Sequence, residues 1–307
     1  MKITIIGAGA MGCLFGGLLC EQGMDVHLID VREEQVAVLN EHGLTILHQG
    51  VERVVRVRAV TELAVIPTRT DLVVIFVKHA QTEAAARTAA RLLGSNGYAL
   101  TLQNGMGNAE IIADVLGKER VLCGTTAQGA MVLGLGKIQH SGIGETVIGM
   151  LRPGRGDIAT EVTEAFTAAG ISCRAVDDIE PVLWKKLFVN VGINAVTALT
   201  GLRNGQLLER EATRRLMRDI VSEAIAVAEA YFVEVPSNTQ EHVEQVVKAT
   251  ASNRSSMGQD IDGRRPTEID AINGYIVRKA REVGLAVPVN QTLVRLVQTV
   301  QGRHITS

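Results

Sequence analysis

An apolar run, Lys2-Ile3-Thr4-Ile5-Ile6, passes directly into Gly7-Ala8-Gly9-Ala10-Met11-Gly12, after which Leu14, Leu18 and Leu19 recur at helical spacing. The pattern predicts a β-strand, a glycine-rich turn and an α-helix in immediate succession. A second strand is expected at Val26-His27-Leu28-Ile29, ending on Asp30, with a helix over 33–41 behind it. Alternating stretches at 44–47 and 54–58, with Gln49-Gly50 between them, predict two further strands around a turn. The unbroken run from Asp71 to Val77 reads as a strand buried on both faces, as a parallel sheet requires. A helix over 82–93 and strands over 98–102 and 121–124 follow. The glycine-rich segment 129–150 reads as a hairpin with arms 137–140 and 146–148. A helix over 158–169 and a strand over 172–176 close this half.

From Asp178 the period changes. Leu216, Ile220, Ala224 and Val227, and later Ile269, Ile272, Ile276 and Val283, recur at helical spacing while strand signals fade. Pro236 and Pro288 read as breaks between helices. The change of class predicts two domains: a dinucleotide-binding α/β domain over 1–176 and an all-α helical bundle over 177–307.

The opening motif carries the first chemistry. In a strand–G-x-G-x-x-G–helix unit, Gly7 permits the tight turn, Gly9 lets the backbone approach a pyrophosphate, and Gly12 lets the helix pack on the strand. Ala10 and Met11 open the helix, whose N-terminus favours an anion. Asp30, at the end of the second strand, suits a ribose diol. Lys78 and Asn104 fall beyond the carboxyl ends of strands, where open α/β sheets bind ligands.

In the helical half, Lys186, Asn190 and Asn194 are spaced i, i+4, i+8 and form a polar stripe on an apolar helix, while Lys185 points away. Such a stripe is costly unless something polar meets it. It either satisfies neighbouring groups or forms a cleft wall facing a nicotinamide. Asn253, Ser256 and Asp260 suggest a second polar face by the same spacing. Thr267 reads as the N-cap of a helix with Glu268 and Asp270 in its first turn, where the helix dipole favours acidic residues.

Bulk properties narrow the partners. Lys plus Arg total 31 against 33 Asp plus Glu, so no basic field invites nucleic acid or an anionic membrane. Cys13, Cys20, Cys123 and Cys173 form no C-x-x-C pair and read as packing thiols of a reducing compartment, and no metal is expected. No run approaches the roughly 18 apolar residues of a membrane span. The short, glycine-rich amino-terminal stretch reads as fold rather than signal, and a cytoplasmic protein is expected.

Taken in order, Gly7–Gly12, Val77-Lys78, Gln103-Asn104-Gly105, Trp184-Lys-Lys-Leu-Phe-Val-Asn190, Asn194, Ser255-Ser-Met-Gly-Gln-Asp260 and Thr267-Glu-Ile-Asp270 resemble the ketopantoate reductase (2-dehydropantoate 2-reductase) family along nearly the whole chain. The resemblance implies a Rossmann domain, a helical domain and an active site in the cleft between them. It implies Lys186 as the acid at the keto oxygen and Glu268 as its acidic partner. It also implies Asn190, Asn194, Asn204, Asn253 and Ser256 as substrate-binding groups, with Lys78 and Asn104 lining the NAD(P)H pocket. Many family members carry a basic residue just after the second strand; here Val31 stands there and Arg32 one position later. Asp30 therefore favours NADH over NADPH. The substrate implied is ketopantoate, or else the branched or aromatic 2-keto acids of NAD-dependent D-2-hydroxyacid dehydrogenases. A β-hydroxyacid dehydrogenase and a non-catalytic dinucleotide sensor fit the helical motifs less well. Monomer and homodimer both remain open.

Overall fold

The computed structural model describes residues 1–61, 69–152 and 157–303. The chain divides into two compact units, Met1–Gln103 with Asn108–Ile179, and Asn104–Gly107 with Glu180–Ser307.

The first unit is α/β. It opens with β1 (Lys2–Ile6), α1 (Ala10–Glu21), β2 (Asp25–Ile29), α2 (Glu33–His42), β3 (Leu44–His48), β4 (Val51–Val55) and β5 (Arg58–Val60). It continues with β6 (Thr70–Ile75), α3 (Thr82–Leu92), β7 (Leu93–Thr101), α4 (Asn108–Leu116) and β8 (Val121–Thr126). Then come β9 (Gly129–Gly134), β10 (Lys137–Gly142), β11 (Thr146–Met150), α5 (Ile158–Ala168) and β12 (Cys173–Ala175). Among the described residues the large sheet has eight strands in the order β12-β11-β8-β7-β6-β1-β2-β5. β1 pairs in parallel with β2 on one side (Ile5↔Leu28) and β6 on the other (Ile5↔Val74), so the winding direction reverses beside β1. Leu72, Val73, Val74 and Ile75 are all fully buried, which explains the unbroken apolar run of β6.

The expected hairpin of 137–140 with 146–148 is not formed. β10 pairs antiparallel with β9 (Ile138↔Val132) and parallel with β3 (Ile138↔Ile46), inside a second sheet that has four strands among the described residues. β11 instead joins the large sheet against β8 (Ile148↔Gly124). The reason is burial: residues Thr146 to Gly149 are inaccessible on both faces, a demand that a small surface sheet does not meet.

The second unit is helical: α6 (Glu180–Thr200), α7 (Glu211–Ala230), α8 (Thr239–Ala249), α9 (Ser256–Asp262), α10 (Asn273–Glu282) and α11 (Pro288–Gly302). Its core joins Trp184, Leu187, Phe188 and Val191 of α6 to Ile220, Val221, Ala224 and Val227 of α7. Among the described residues α6 alone is long and apolar enough, by length and mean hydropathy (21 residues, 1.2), to cross a membrane, although Lys185, Lys186, Asn190 and Asn194 interrupt it, so it is not an unbroken apolar run. Since 61% of that stretch is buried within the protein, core packing accounts for its apolarity. Pro288 opens α11 at its first position, where a missing N–H costs nothing.

A second correction concerns residues 267–270. They do not open a helix; α10 starts only at Asn273. Ile269, Ala271 and Ile272 are at most 1% exposed, and the segment forms a buried turn, with Ala271 N and Ile272 N both donating to Glu268 O at 3.1 Å, that leads into α10 without being a regular helix. Thr267 Oγ1 accepts from Ile269 N at 3.4 Å in a local turn rather than capping a helix.

Candidate active site

The glycine turn after β1 is built for close approach. Gly7 sits at φ +101°, and its N–H donates to Ile29 O at 2.8 Å. A Cβ on Gly12 would lie 1.9 Å from Gly7 O, so only glycine lets α1 start against the strand. At Gly9 an added Cβ would meet nothing within 4 Å. No side chain caps α1, and Ala10 and Met11 in its first turn are half-buried. An open space beside an uncapped helix N-terminus fits a pyrophosphate, whose charge the first-turn N–H groups would meet.

Asp30 stands next to this turn, with its side chain 9% exposed. Its Oδ2 accepts from Ala8 N at 2.9 Å, which anchors the carboxylate to the glycine loop. Arg32 wraps onto it: Oδ1 accepts from Arg32 N and Nε, both at 3.0 Å, and Oδ2 from Nη2 at 3.2 Å. Val31, between them, is 83% exposed. The strand end therefore presents a carboxylate already paired with a half-exposed guanidinium.

Lys78 is half-buried just beyond β6. Gln103, at the end of β7, ties the neighbouring loops together, its Nε2 donating to Val77 O at 2.6 Å and to Thr82 Oγ1 at 3.0 Å. Asn104 begins a four-residue loop that packs with the helical unit. There Met106 N donates to Ala271 O at 2.8 Å, and Gly105 at φ +82° leaves no room for a Cβ, which would lie 2.3 Å from that oxygen.

On α6 the helical repeat separates the two lysines. Lys185 is exposed, whereas Lys186 is half-buried, and burial lowers its ammonium from the ordinary 10.5 to about 8. Asn190 is half-buried and Asn194 is 5% exposed. Thr197 Oγ1, one turn on, lies 2.6 Å from Ser255 Oγ, which also accepts from Gly258 N at 3.0 Å as the cap of α9. This contact fixes α6 against the start of α9, next to the exposed Ser256.

Asn204 and Asn253 come together through the backbone, Asn204 N donating to Asn253 O at 3.0 Å. The Asn204 side chain donates to Thr250 Oγ1 at 2.9 Å, and its buried Oδ1 has no hydrogen-bond partner among the described residues. The expected Asn253–Ser256–Asp260 face is not one helical face. Asn253 precedes α9 and is exposed, and the buried Asp260 carboxylate pairs with Arg265 Nε at 3.1 Å. Glu268, 8% exposed, lies in the turn before α10. That turn is secured to α6 by Asn273, whose Nδ2 reaches Val191 O at 3.4 Å, and by Tyr275, whose ring meets Trp184 edge-on at 6.0 Å. The bridging role of Gln103 was not legible in the motif, because Val77 and Thr82 are brought close to it only by the sheet. The Arg32 clamp is local, two residues from Asp30, but which way the guanidinium turns is not written in the spacing.

Two family models match this chain: ketopantoate reductase PanE/ApbA over residues 3–153, and its C-terminal counterpart over 178–301. The chain belongs to the ketopantoate reductase family. A 2-dehydropantoate 2-reductase of Halobacterium salinarum is 38% identical over 302 residues, spanning 98% of this chain and 99% of that protein. The Vibrio cholerae enzyme of the same name is 33% identical over 305 residues, 98% of each. Among solved structures, a PanE/ApbA family ketopantoate reductase from Ralstonia eutropha superposes with a TM-score of 0.91 at 32% identity, covering 99% of each chain. A D-mandelate dehydrogenase solved with NADH and anilino(oxo)acetate superposes with a TM-score of 0.93 at 29% identity and the same coverage. This family member is an NAD(P)-dependent oxidoreductase acting on the CH–OH group, with a Rossmann-type first unit and a helical second unit.

Proposed function

We propose that this reductase converts ketopantoate to pantoate, with Lys186 as the proton donor at the keto oxygen. The observation that carries the reading is Lys186 itself, half-buried in line with Asn190 and Asn194 and with its ammonium lowered to about 8. A lysine tuned near neutrality holds a proton yet releases it readily. The substrate follows the curated relatives that carry the name 2-dehydropantoate 2-reductase.

Bound NAD(P)H supplies the hydride. Gly7, Gly9, Ala10, Met11, Gly12 and Asp30 would hold the cofactor in the first domain, 1–176, and Lys78 and Asn104 would line its pocket. In the helical domain, 177–307, Lys186 directs an N–H at the keto oxygen and passes it a proton as negative charge develops there. Glu268 fixes the direction of that ammonium. Asn190, Asn194 and Asn204 orient the substrate, the unpartnered Asn204 Oδ1 suiting a hydroxyl donor. Asn253 and Ser256, both exposed, receive its carboxylate and distal hydroxyl. Asp30 makes NADH the preferred cofactor, since a carboxylate accepts from a ribose diol and repels a 2′-phosphate.

A second reading, a D-2-hydroxyacid dehydrogenase for branched or aromatic 2-keto acids, is favoured by the likeness to the NADH-bound D-mandelate dehydrogenase. Cofactor oxidation with ketopantoate, 2-ketoisovalerate and phenylglyoxylate separates the two. Leaving buried polar groups unmatched costs roughly 1–3 kcal/mol, so the ketopantoate reading expects a clear preference over 2-ketoisovalerate, which lacks the distal hydroxyl. Equal kcat/KM for these two, or a preference for phenylglyoxylate, would replace it with the second reading.

A further inference from the structure

The turn carrying Glu268 is enclosed without being helical. Thr267, Glu268, Ile269, Ala271 and Ile272 are each at most 9% exposed; local turn bonds, such as Ala271 N and Ile272 N to Glu268 O at 3.1 Å, serve part of the backbone, and the Thr267 and Asp270 side chains need partners from elsewhere. One face of α11 supplies them on both sides of Glu268. Gln301 Oε1 accepts from Thr267 Oγ1 at 2.7 Å and from Thr267 N at 3.2 Å. Gln298 Nε2 donates to Asp270 Oδ1 at 2.8 Å. Residues three apart on a helix share a face, so these glutamines form a two-point clamp, one point just before Glu268 and one just after it.

We propose that Gln301 and Gln298 are positioning residues for the reaction: they fix the 267–270 turn and thereby hold the Glu268 carboxylate where it directs Lys186. The proposal rests on the reading of Glu268 given above. Neither glutamine touches a reacting group; each acts through the turn. Gln301 uses only its carbonyl oxygen, so Gln301→Glu keeps an acceptor in place, whereas Gln301→Met removes it at similar length.

The test is a double-mutant cycle in the full chain, with ketopantoate and NADH as probes. A displacement of about 1 Å near the chemistry costs up to roughly 10²-fold, so Gln301→Met is expected to lower kcat by ~10- to 100-fold. KM for NADH should stay unchanged, and Gln301→Glu should restore most of the rate. In a Glu268→Gln background Gln301→Met should cost nothing further, because residues acting through one another are not additive. Equal losses in both backgrounds, or an unimpaired Gln301→Met, would overturn the clamp. A normal kcat for Glu268→Gln alone would instead overturn the reading of Glu268, and the clamp with it, so the two failures are distinguishable. Should Gln301→Met not fold, Thr267→Val withdraws the hydroxyl from the opposite end and enters the same cycle with the same expected outcomes.

Discussion

Lys185 and Lys186 differ by one position and by almost everything that matters to chemistry. The helical repeat leaves Lys185 exposed and turns Lys186 inward, where burial lowers its ammonium to about 8. If Lys186 is the proton donor, as proposed, reduction requires its charged form, because the keto oxygen needs a proton. The rate of reduction should therefore hold below about pH 8 and fall as pH rises through it, while oxidation of the hydroxy acid, which needs the neutral amine, should rise across the same interval. Lys186→Ala should abolish both limbs and lower kcat by ~10²-fold or more, the scale of losing one transition-state donor. Lys185→Ala should leave both limbs in place. Steady-state pH profiles in each direction check this, and an inflection near 8 that survives Lys186→Ala would assign the titration to another group.

Elements defined by local pattern were legible in the chain; those defined by distant partners were not. The β1–turn–α1 unit was readable because periodicity and glycine spacing sit within a dozen residues, and the α6 stripe because its period is helical throughout. Thr267-Glu268-Ile269-Asp270 imitates a helix start just as well, but its Thr267 hydroxyl is taken up by Gln301, thirty-four positions on, instead of capping a helix. The paired arms of 137–140 and 146–148 failed for a similar reason: β8, whose partner β11 is, lies outside the segment that suggested a hairpin. The glycine turn also yields a sharp contrast between two variants. At Gly9 the backbone is extended, φ −79° and ψ −163°, with space around a would-be Cβ, so Gly9→Val should fold with a near-normal Tm yet bind cofactor poorly. At Gly12 a Cβ would press on the Gly7 carbonyl at 1.9 Å, so Gly12→Ala should itself be destabilised, by the ~1–3 kcal/mol typical of overpacking. Thermal unfolding with and without NADH distinguishes them. A Gly9→Val protein that kept its NADH-induced rise in Tm would show that the open space is not the pyrophosphate site.

At the scale of the whole molecule, the fold does not choose the reaction partner. The chain superposes equally well on a ketopantoate reductase and on a D-mandelate dehydrogenase, with TM-scores of 0.91 and 0.93. Substrate and cofactor selection must then lie in a few side chains. For the cofactor we propose Asp30 and Arg32, which on that reading compete. The Asp30 carboxylate offers acceptors to a ribose diol, but the Arg32 guanidinium laid across it at 3.0 and 3.2 Å cancels part of its repulsion toward a 2′-phosphate. With the carboxylate 9% exposed and also bonded to Ala8 N, Asp30 is the more firmly anchored member of the pair, while Arg32, 52% exposed, is the more accessible one. Stability of the whole chain reports the outcome without turnover, since a ligand at 100 times its Kd adds about 2.7 kcal/mol to unfolding. At equal concentration NADH should raise Tm more than NADPH. Asp30→Ala with Val31→Arg should reverse that order by removing a repulsion and adding a phosphate partner. Arg32→Ala should leave the NADH shift intact, because Asp30 keeps its backbone anchor. A larger shift with NADPH in the wild type, lost on Arg32→Ala, would make Arg32 the selector and Asp30 merely the residue that holds it.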